Sequence, residues 1–332
     1  MKILVVTNHN APVVRLQIDG MKALGVEMQL LLSERAAIGR NVYLHLHRRL
    51  TAVVNDYDPD VVHVQFGGVQ AAVASIVVPN RCVVTFHGTD LHGGTRTPNV
   101  LSAISQRVGV WCSRFAARRV ASNILVSENL RSRLPRGATH VDIIPTGVDF
   151  EKFRPIDRSS CLTELGLDDS IRWVLFCDCN NDPVKRRELA EAAVSTLNTL
   201  GCRASLLLLH NITHDRVPLY LNAASVVIVT SDKEGSPNIV KEALACNTPV
   251  VSVDVGDVAA RIGGLDGCLV SAREPVALAN ALNNVMSRSA RPSFREFVRP
   301  AIDNTIISRR LLSVYERVCG RPHSLPHRKQ RC

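Results

Sequence analysis

Thr230-Ser-Asp-Lys-Glu234-Gly-Ser-Pro237-Asn-Ile-Val-Lys-Glu242-Ala-Leu-Ala-Cys-Asn-Thr-Pro249-Val-Val-Ser-Val-Asp-Val255 reads as a loop leaving one strand, a short helix, and a second strand. That is the repeating unit of a parallel α/β sheet. Ser236-Pro237 is a helix start: Ser236 can cap it, and Pro237 suits the first helical position, where no N–H is wanted. The N–H groups of Asn238, Ile239 and Val240 then point at whatever precedes the helix, with the positive end of the helix dipole behind them. Glu234 stands on the loop, and Glu242, eight positions on, stands on the helix. Two carboxylates therefore flank an anion site. A diphosphate lying between sugar and ribose hydroxyls would need that arrangement, because carboxylates accept from hydroxyls and helix N-termini donate to phosphate.

The same alternation extends outward from this stretch. Arg172–Cys177, Ser205–Leu209, Val226–Thr230 and Pro249–Val253 are short apolar runs separated by helical stretches near 186–200, 217–223 and 237–246. A last short strand at Cys268–Val270 precedes a helix from Pro275. In the first half, Ile3–Thr7, Val61–Val64, Val83–Phe86 and Asn123–Val126 alternate with helices near 14–24, 40–56 and 100–119. Continuous apolar strands between helices mean parallel sheets covered on both faces. The expected fold is α/β: two doubly wound, Rossmann-like domains with ligands at the strand carboxyl ends, facing a cleft. Ile144-Pro-Thr-Gly-Val-Asp-Phe-Glu-Lys-Phe-Arg-Pro155 has the turn residues of a linker. It sets the domains at 1–150 and 151–302.

Glu234-Gly-Ser-Pro-Asn, Glu242-Ala-Leu-Ala-Cys and Pro249-Val-Val together resemble the E-x7-E signature of the retaining glycosyltransferases of family 4, which have the GT-B fold. The linker is similar to that family's I-P-N-G-V-D…F-x-P segment, so the resemblance covers about the whole chain. It implies that Glu234 and the loop of Gly235, Ser236, Pro237 and Asn238, through its free amides, hold the donor sugar, and that Glu242 binds the nucleotide ribose. It also implies that the helical stretch Thr305–Val318, within about 303–319, crosses back onto the first domain. A basic tail, 320–332, follows.

Thr85-Phe-His87-Gly88-Thr-Asp90 begins where a strand ends. Family members often place His-Gly there, facing the donor diphosphate, and a histidine can donate to phosphate with a charge tunable near neutral pH. Asp90 and His92 do not make His87 a convincing metal site, and the resemblance implies neither metal nor cofactor. His45 and His47, two apart on a helix, do not share a face. After the first strand of the second domain, Cys179-Asn-Asn-Asp-Pro-Val-Lys185-Arg186-Arg187 stands where the family has a Gly-Arg and a later lysine that grip phosphate. Lys185 matches the lysine. The arginine is absent, with Asn180 or Asn181 near its place, and Arg186 is a candidate to supply the charge. This form of the loop is similar to a branch resembling teichuronic-acid glycosyltransferases. Asp257, after the strand that follows the signature helix, reads as the cap of the next helix.

Thr7-Asn-His-Asn-Ala-Pro-Val-Val, after the first strand, lacks the glycines many family members have there. It also lacks G-x-G-x-x-G, which argues against a dinucleotide-dependent dehydrogenase. The chain has 332 residues, 46% hydrophobic and 21% charged, which suits two globular domains. No apolar run reaches 18 residues, and the amino terminus reads as a buried strand rather than a signal peptide. Ten cysteines with one C-x-C, Cys177 and Cys179, read as free thiols in a reducing cytosol. The net charge of +10, with Arg114, Arg118, Arg119, Arg131, Arg133 and Arg136 grouped, fits either an anionic membrane surface or general basicity. An aromatic content of 4% and the lack of a nucleic-acid motif count against nucleic acid.

Function follows as an expectation: transfer of a sugar from a nucleotide-diphosphate sugar to a glycan or lipid-linked acceptor in envelope polysaccharide synthesis. The setting would be cytoplasmic, with peripheral contact at the inner membrane face left open. A nucleotide-sugar 2-epimerase and a non-catalytic nucleotide-binding protein are the alternatives.

Overall fold

The computed structural model describes residues 1–33, 42–93, 100–178, 181–288 and 290–320. Cys179, Asn180 and the tail from 321 onward lie outside them. The first sheet contains β1 (Lys2–Thr7), β2 (Glu27–Leu32), β3 (Val61–Gln65), β4 (Cys82–Phe86), β5 (Ser122–Leu125) and β6 (Val141–Ile143), in the order β2-β1-β3-β4-β5-β6. The second contains β7 (Arg172–Cys177), β8 (Ala204–Leu209), β9 (Val226–Val229), β10 (Val250–Val253) and β11 (Leu269–Ser271), in the order β11-β10-β9-β7-β8. Every pairing in both sheets is parallel. The expected pair of doubly wound domains is present. Strand order reverses between β1 and β3 in one sheet and between β7 and β9 in the other, and crevices open at such switch points.

The first domain's helices are α1 (Pro12–Ala23), α2 (Val42–Tyr57), α3 (Val69–Val77), α4 (Thr89–His92) and α5 (Val100–Ala117). α6 (Arg158–Leu165), α7 (Arg187–Thr199), α8 (Val217–Ala223), α9 (Asn238–Ala245), α10 (Val258–Ile262), α11 (Pro275–Met286) and α12 (Arg295–Ile302) follow the linker, and α13 (Asn304–Val318) ends the described chain. Because β3 and β4 are buried along their whole length, the first sheet is covered on both faces and carries two core layers. One joins Leu46, Leu50 and Val54 of α2 to Ala71 and Ala74 of α3 and Ala116 of α5. The other sets Ile307, Leu311, Val314 and Tyr315 of α13 against Ile3 and Val5 of β1. The chain therefore returns to its first domain at its end. A separate core fills the second domain around Val174, Leu175, Ile228 and Val251.

The linker and the return segment run side by side. Val148 N–H donates to Ile302 O at 2.8 Å, and Asn304 N–H donates to Val148 O at 2.9 Å.

His63 fixes the returning helix. One ring nitrogen lies 2.6 Å from Tyr315 Oη and the other 2.7 Å from Thr85 Oγ1, all inside the core. Burial, aided by the nearby His87, pushes the His63 pKa down to about 3, and burial likewise takes His87 to about 3. Between about pH 3 and the ordinary histidine value near 6.5, the unfolded chain binds protons that the native chain refuses, so acid favours unfolding. Urea-unfolding stability should therefore fall from pH 6.5 to pH 5, above the range where most carboxylates titrate. His63→Gln should flatten that slope. An unchanged slope in the variant would remove His63 from the account.

Candidate functional site

One cavity of about 530 Å³ lies between the domains, at the carboxyl ends of both sheets. The first domain lines it with Ala11, Pro12, Val13 and Leu16 after β1, Phe66 after β3 and His87 after β4. The second contributes Lys185 after β7, Asn211 and His214 after β8, and Glu234 through Ile239 with Glu242 after β9. Thus both switch points open into the same space, and Lys185, Glu234 through Ile239 and Glu242 converge on it from separate loops, with His87 facing them.

Local sequence explains how each is held. Pro183–Lys185 is a single 3₁₀ turn capped by Asp182, whose carboxylate accepts from Val184 N–H at 3.0 Å. Thr230 Oγ1 donates to Lys185 O at 2.7 Å, and Asp232 N–H donates to Val184 O at 2.8 Å, so this turn is laced to the β9 loop. Arg273 braces the same loop, donating to Thr230 O at 2.7 Å and Ser231 O at 2.8 Å. The result is a fixed ion pair: Lys185 Nζ stands 2.5 Å from Glu234 Oε1, which also accepts from Ser231 Oγ at 2.8 Å. Glu242 is held separately. Its Oε1 lies 2.9 Å from His214 Nε2, while Lys152 Nζ lies 3.1 Å from the other ring nitrogen of that histidine. Since an ammonium can only donate, His214 Nδ1 accepts and Nε2–H donates to Glu242.

Four details depart from the sequence reading. Ser236 does not cap α9; Pro237 stands just before the helix in extended conformation, and Ser236 Oγ donates to Asp257 Oδ2 at 2.9 Å. Asp257 in turn does not cap α10 with its side chain, being occupied by Ser236 and Arg261. Arg186 lies outside the cavity lining and pairs with Asp232 at 3.1 Å and with Glu188. Gly88 and Val240 are not lining residues either: Gly88 backs onto Gly235, and Val240 is buried in the second domain's core. The N–H groups of the first turn of α9 still have no acceptor within their own helix.

His87 also differs in character from the expectation. Gln65 Nε2 donates to Gln17 Oε1 at 2.7 Å, so its Oε1 accepts from His87 Nε2–H at 3.0 Å. Burial first, and the charge of Lys241 second, hold the ring neutral at physiological pH rather than poised to change charge there. Asp90 is spent on the backbone: its carboxylate accepts from Gly67 and Gly88 N–H at 2.8 Å each and from His87 N–H at 3.1 Å. It fixes the loops after β3 and β4 together.

Residues 28–152 match a family model described as Glycosyltransferase Family 4, and residues 168–288 match one described as Glycosyl transferases group 1. The two matched segments fall one in each domain and do not overlap. The chain belongs to the family-4 type of glycosyltransferase. Among relatives in this class, D-inositol 3-phosphate glycosyltransferase of Nocardiopsis dassonvillei is 27% identical over 251 residues, 64% of this chain and 58% of the relative. The Mycolicibacterium gilvum enzyme of the same name is 29% identical over 191 residues, 49% of this chain and 42% of the relative. The matches thus span only about half the length of these relatives. The fold is that of sucrose-phosphate synthase from Thermosynechococcus elongatus, with a TM-score of 0.79 and 17% identity over 96% of this chain and 99% of that one. Anabaena Alr3699/HepE, solved in complex with UDP-glucose, gives a TM-score of 0.70 at 15% identity over 96% of this chain and 100% of that one.

Within this glycosyltransferase fold, three site residues escaped sequence reasoning. Phe66 has φ +69°, a left-handed conformation rare for a bulky residue, and its ring lies 4.2 Å from that of His87. His214 carried no signal beyond being a loop histidine. Lys241, beside Glu242 in the signature itself, is fully buried, and burial above all pushes its pKa down to about 7. Its Nζ reaches the linker, donating to Thr146 O at 3.2 Å and to Thr146 Oγ1, which donates on to Asn238 Oδ1 at 2.6 Å. A buried lysine on the inner face of α9 therefore ties the hinge to the first turn of the donor-site helix. Helical spacing puts position 241 inward, which was the available clue.

Proposed function

We propose that this chain transfers a sugar, with retention, from a nucleotide-diphosphate sugar to a glycan or lipid-linked acceptor. One observation carries it: Lys185, Glu234, the amino end of α9 and Glu242 line a single cavity large enough for such a donor. Carboxylates and phosphate donors in that sequence suit sugar, diphosphate and ribose in turn. Lys185 and the amides of Asn238–Val240 would meet the charge growing on the leaving diphosphate, with no metal required. Glu234, with the amides of its loop, would orient the sugar hydroxyls, and Glu242, steadied by His214, would accept from the ribose. Neutral His87 has its Nε2–H engaged by Gln65, which leaves Nδ1 as an acceptor suited to a sugar hydroxyl. Attack from the leaving-group face, with the departing phosphate as base, accounts for retention. Structures such as that of Alr3699/HepE with UDP-glucose support a uridine nucleotide as the first donor to try.

Envelope polysaccharide synthesis at the cytoplasmic face of the membrane is the setting we propose. Cys82, Cys112, Cys161, Cys202, Cys246 and Cys268 stand outside any disulfide, in keeping with a reducing compartment. Among the described residues no helix is long and apolar enough to cross a membrane. Isothermal titration with UDP, GDP and ADP tests the donor site. One nucleotide should bind at micromolar Kd, and Glu242→Ala should weaken it at least tenfold, about 1.4 kcal/mol. No binding by folded protein to any of the three would overturn the reading.

A further inference from the structure

α5 is buried on one side and exposes a row of large apolar residues on the other. Ile104, Val108 and Trp111 recur at the spacing of one helical face and are 51%, 39% and 66% exposed. Trp111 is one of two tryptophans in the chain, and it stands in solvent with its ring stacked 5.7 Å from that of Phe115. Arg107 and Arg114, both exposed, fall along one edge of that apolar stripe, and exposed Arg118 follows just past the helix end. No acidic residue occurs between Asp90 and Glu128, whereas Arg96, Arg107, Arg114, Arg118 and Arg119 do. An apolar stripe with an interfacial tryptophan and a one-signed basic border matches a surface whose outside is anionic and whose inside is apolar. Its place also fits. Ser113 Oγ of α5 accepts from Gly68 N–H at 2.7 Å, so α5 abuts the loop after β3 that puts Phe66 into the cavity.

We propose that the outer face of α5 is a docking surface for an anionic lipid bilayer, holding the first domain's side of the cleft at the membrane. The lipid-linked acceptor proposed above would give this contact its purpose, but the contact itself does not depend on sugar transfer. Arginines near an anionic surface contribute about fivefold each in affinity, and insertion of the apolar residues adds to that.

The test is co-sedimentation of the full-length protein, without donor or acceptor, with vesicles of phosphatidylcholine alone or mixed with phosphatidylglycerol. Binding should require the anionic lipid, fall with salt, and shift Trp111 emission to the blue. The exposed-site variant Ile104→Ser/Trp111→Ser should bind at least tenfold more weakly, and Arg107→Glu/Arg114→Glu should lose binding, while both keep wild-type nucleotide affinity. Equal binding to neutral vesicles, or anionic binding that neither variant changes, would overturn the proposal and, in the second case, move the contact to another basic segment such as the tail. A dimer in sedimentation velocity that the Trp111 variant dissolves, without vesicle binding, would assign the face to a second copy of the chain instead. Loss of nucleotide binding in the wild type would sink the donor-site reading and leave this result standing.

Discussion

Lys185→Ala should lower kcat for sugar transfer, or for slow donor hydrolysis when no acceptor is supplied, by about 10²–10³-fold, the scale seen when one preorganised donor to developing charge is removed. The expectation rests on the ion pair. Lys185 Nζ and Glu234 Oε1 are 2.5 Å apart with side chains only 24% and 14% exposed, so neither charge is well solvated. Removing the ammonium does two things. It takes away a cation from the leaving diphosphate, and it leaves the Glu234 carboxylate unpaired beside that dianion. Donor affinity should therefore weaken at least tenfold along with kcat. Glu234→Gln should behave differently: the amide still accepts a sugar hydroxyl, and the lysine is freed for phosphate, so donor binding should hold while kcat falls through poorer orientation. In the double variant the repulsive carboxylate is gone. Its loss should then be smaller than the product of the two single losses. Strict multiplicativity would show that the two side chains act independently, and unchanged kcat in Lys185→Ala would take the lysine out of the mechanism.

Legibility in the sequence followed burial and periodicity. Strands buried on both faces, such as Val61–Gln65 and Cys82–Phe86, announce themselves as short runs dominated by valine. β2 did not, because Glu27-Met-Gln-Leu-Leu-Leu32 lies at the sheet edge, half exposed and mixed in character. β6 is only three residues long and half-buried. α3 was hidden because Val69–Val77 is almost wholly apolar, and a helix buried on most sides shows no amphipathic period. At the site, Glu234, Glu242 and Lys185 were readable because their chemistry needs those residue types at a strand end or helix start. Lys241 and His214 were not, since their meaning comes from tertiary neighbours, the linker in one case and Glu242 in the other. Ser236 was misread because a Ser-Pro pair signals a cap locally, while Asp257, 21 residues on, offers its hydroxyl a better partner.

Gly235→Ala should abolish most transfer, by about 100-fold or more, with little change in thermal stability. A Cβ on Gly235 would lie 2.1 Å from His87 O and 2.9 Å from His87 C, both backbone atoms of the opposite domain. Neither can rotate aside. Gly235 O also accepts from Ser127 Oγ of the first domain at 2.8 Å, and behind the loop Gly256 of the second domain approaches so closely that a Cβ there would come within 2.8 Å of that carbonyl. The loop thus cannot retreat, and the clash is relieved only by parting the domains. The cores of the two domains are separate clusters, so parting them costs little folding free energy. Catalysis is another matter, because misplacing reacting groups by about 1 Å can cost 10²-fold. Nucleotide affinity should stay within about threefold of wild type, since Lys185, Glu242 and α9 all belong to the second domain. A larger radius of gyration by solution scattering should accompany the loss. Wild-type kcat in this variant would mean that the His87–Gly235 contact is not part of the state in which sugar is transferred.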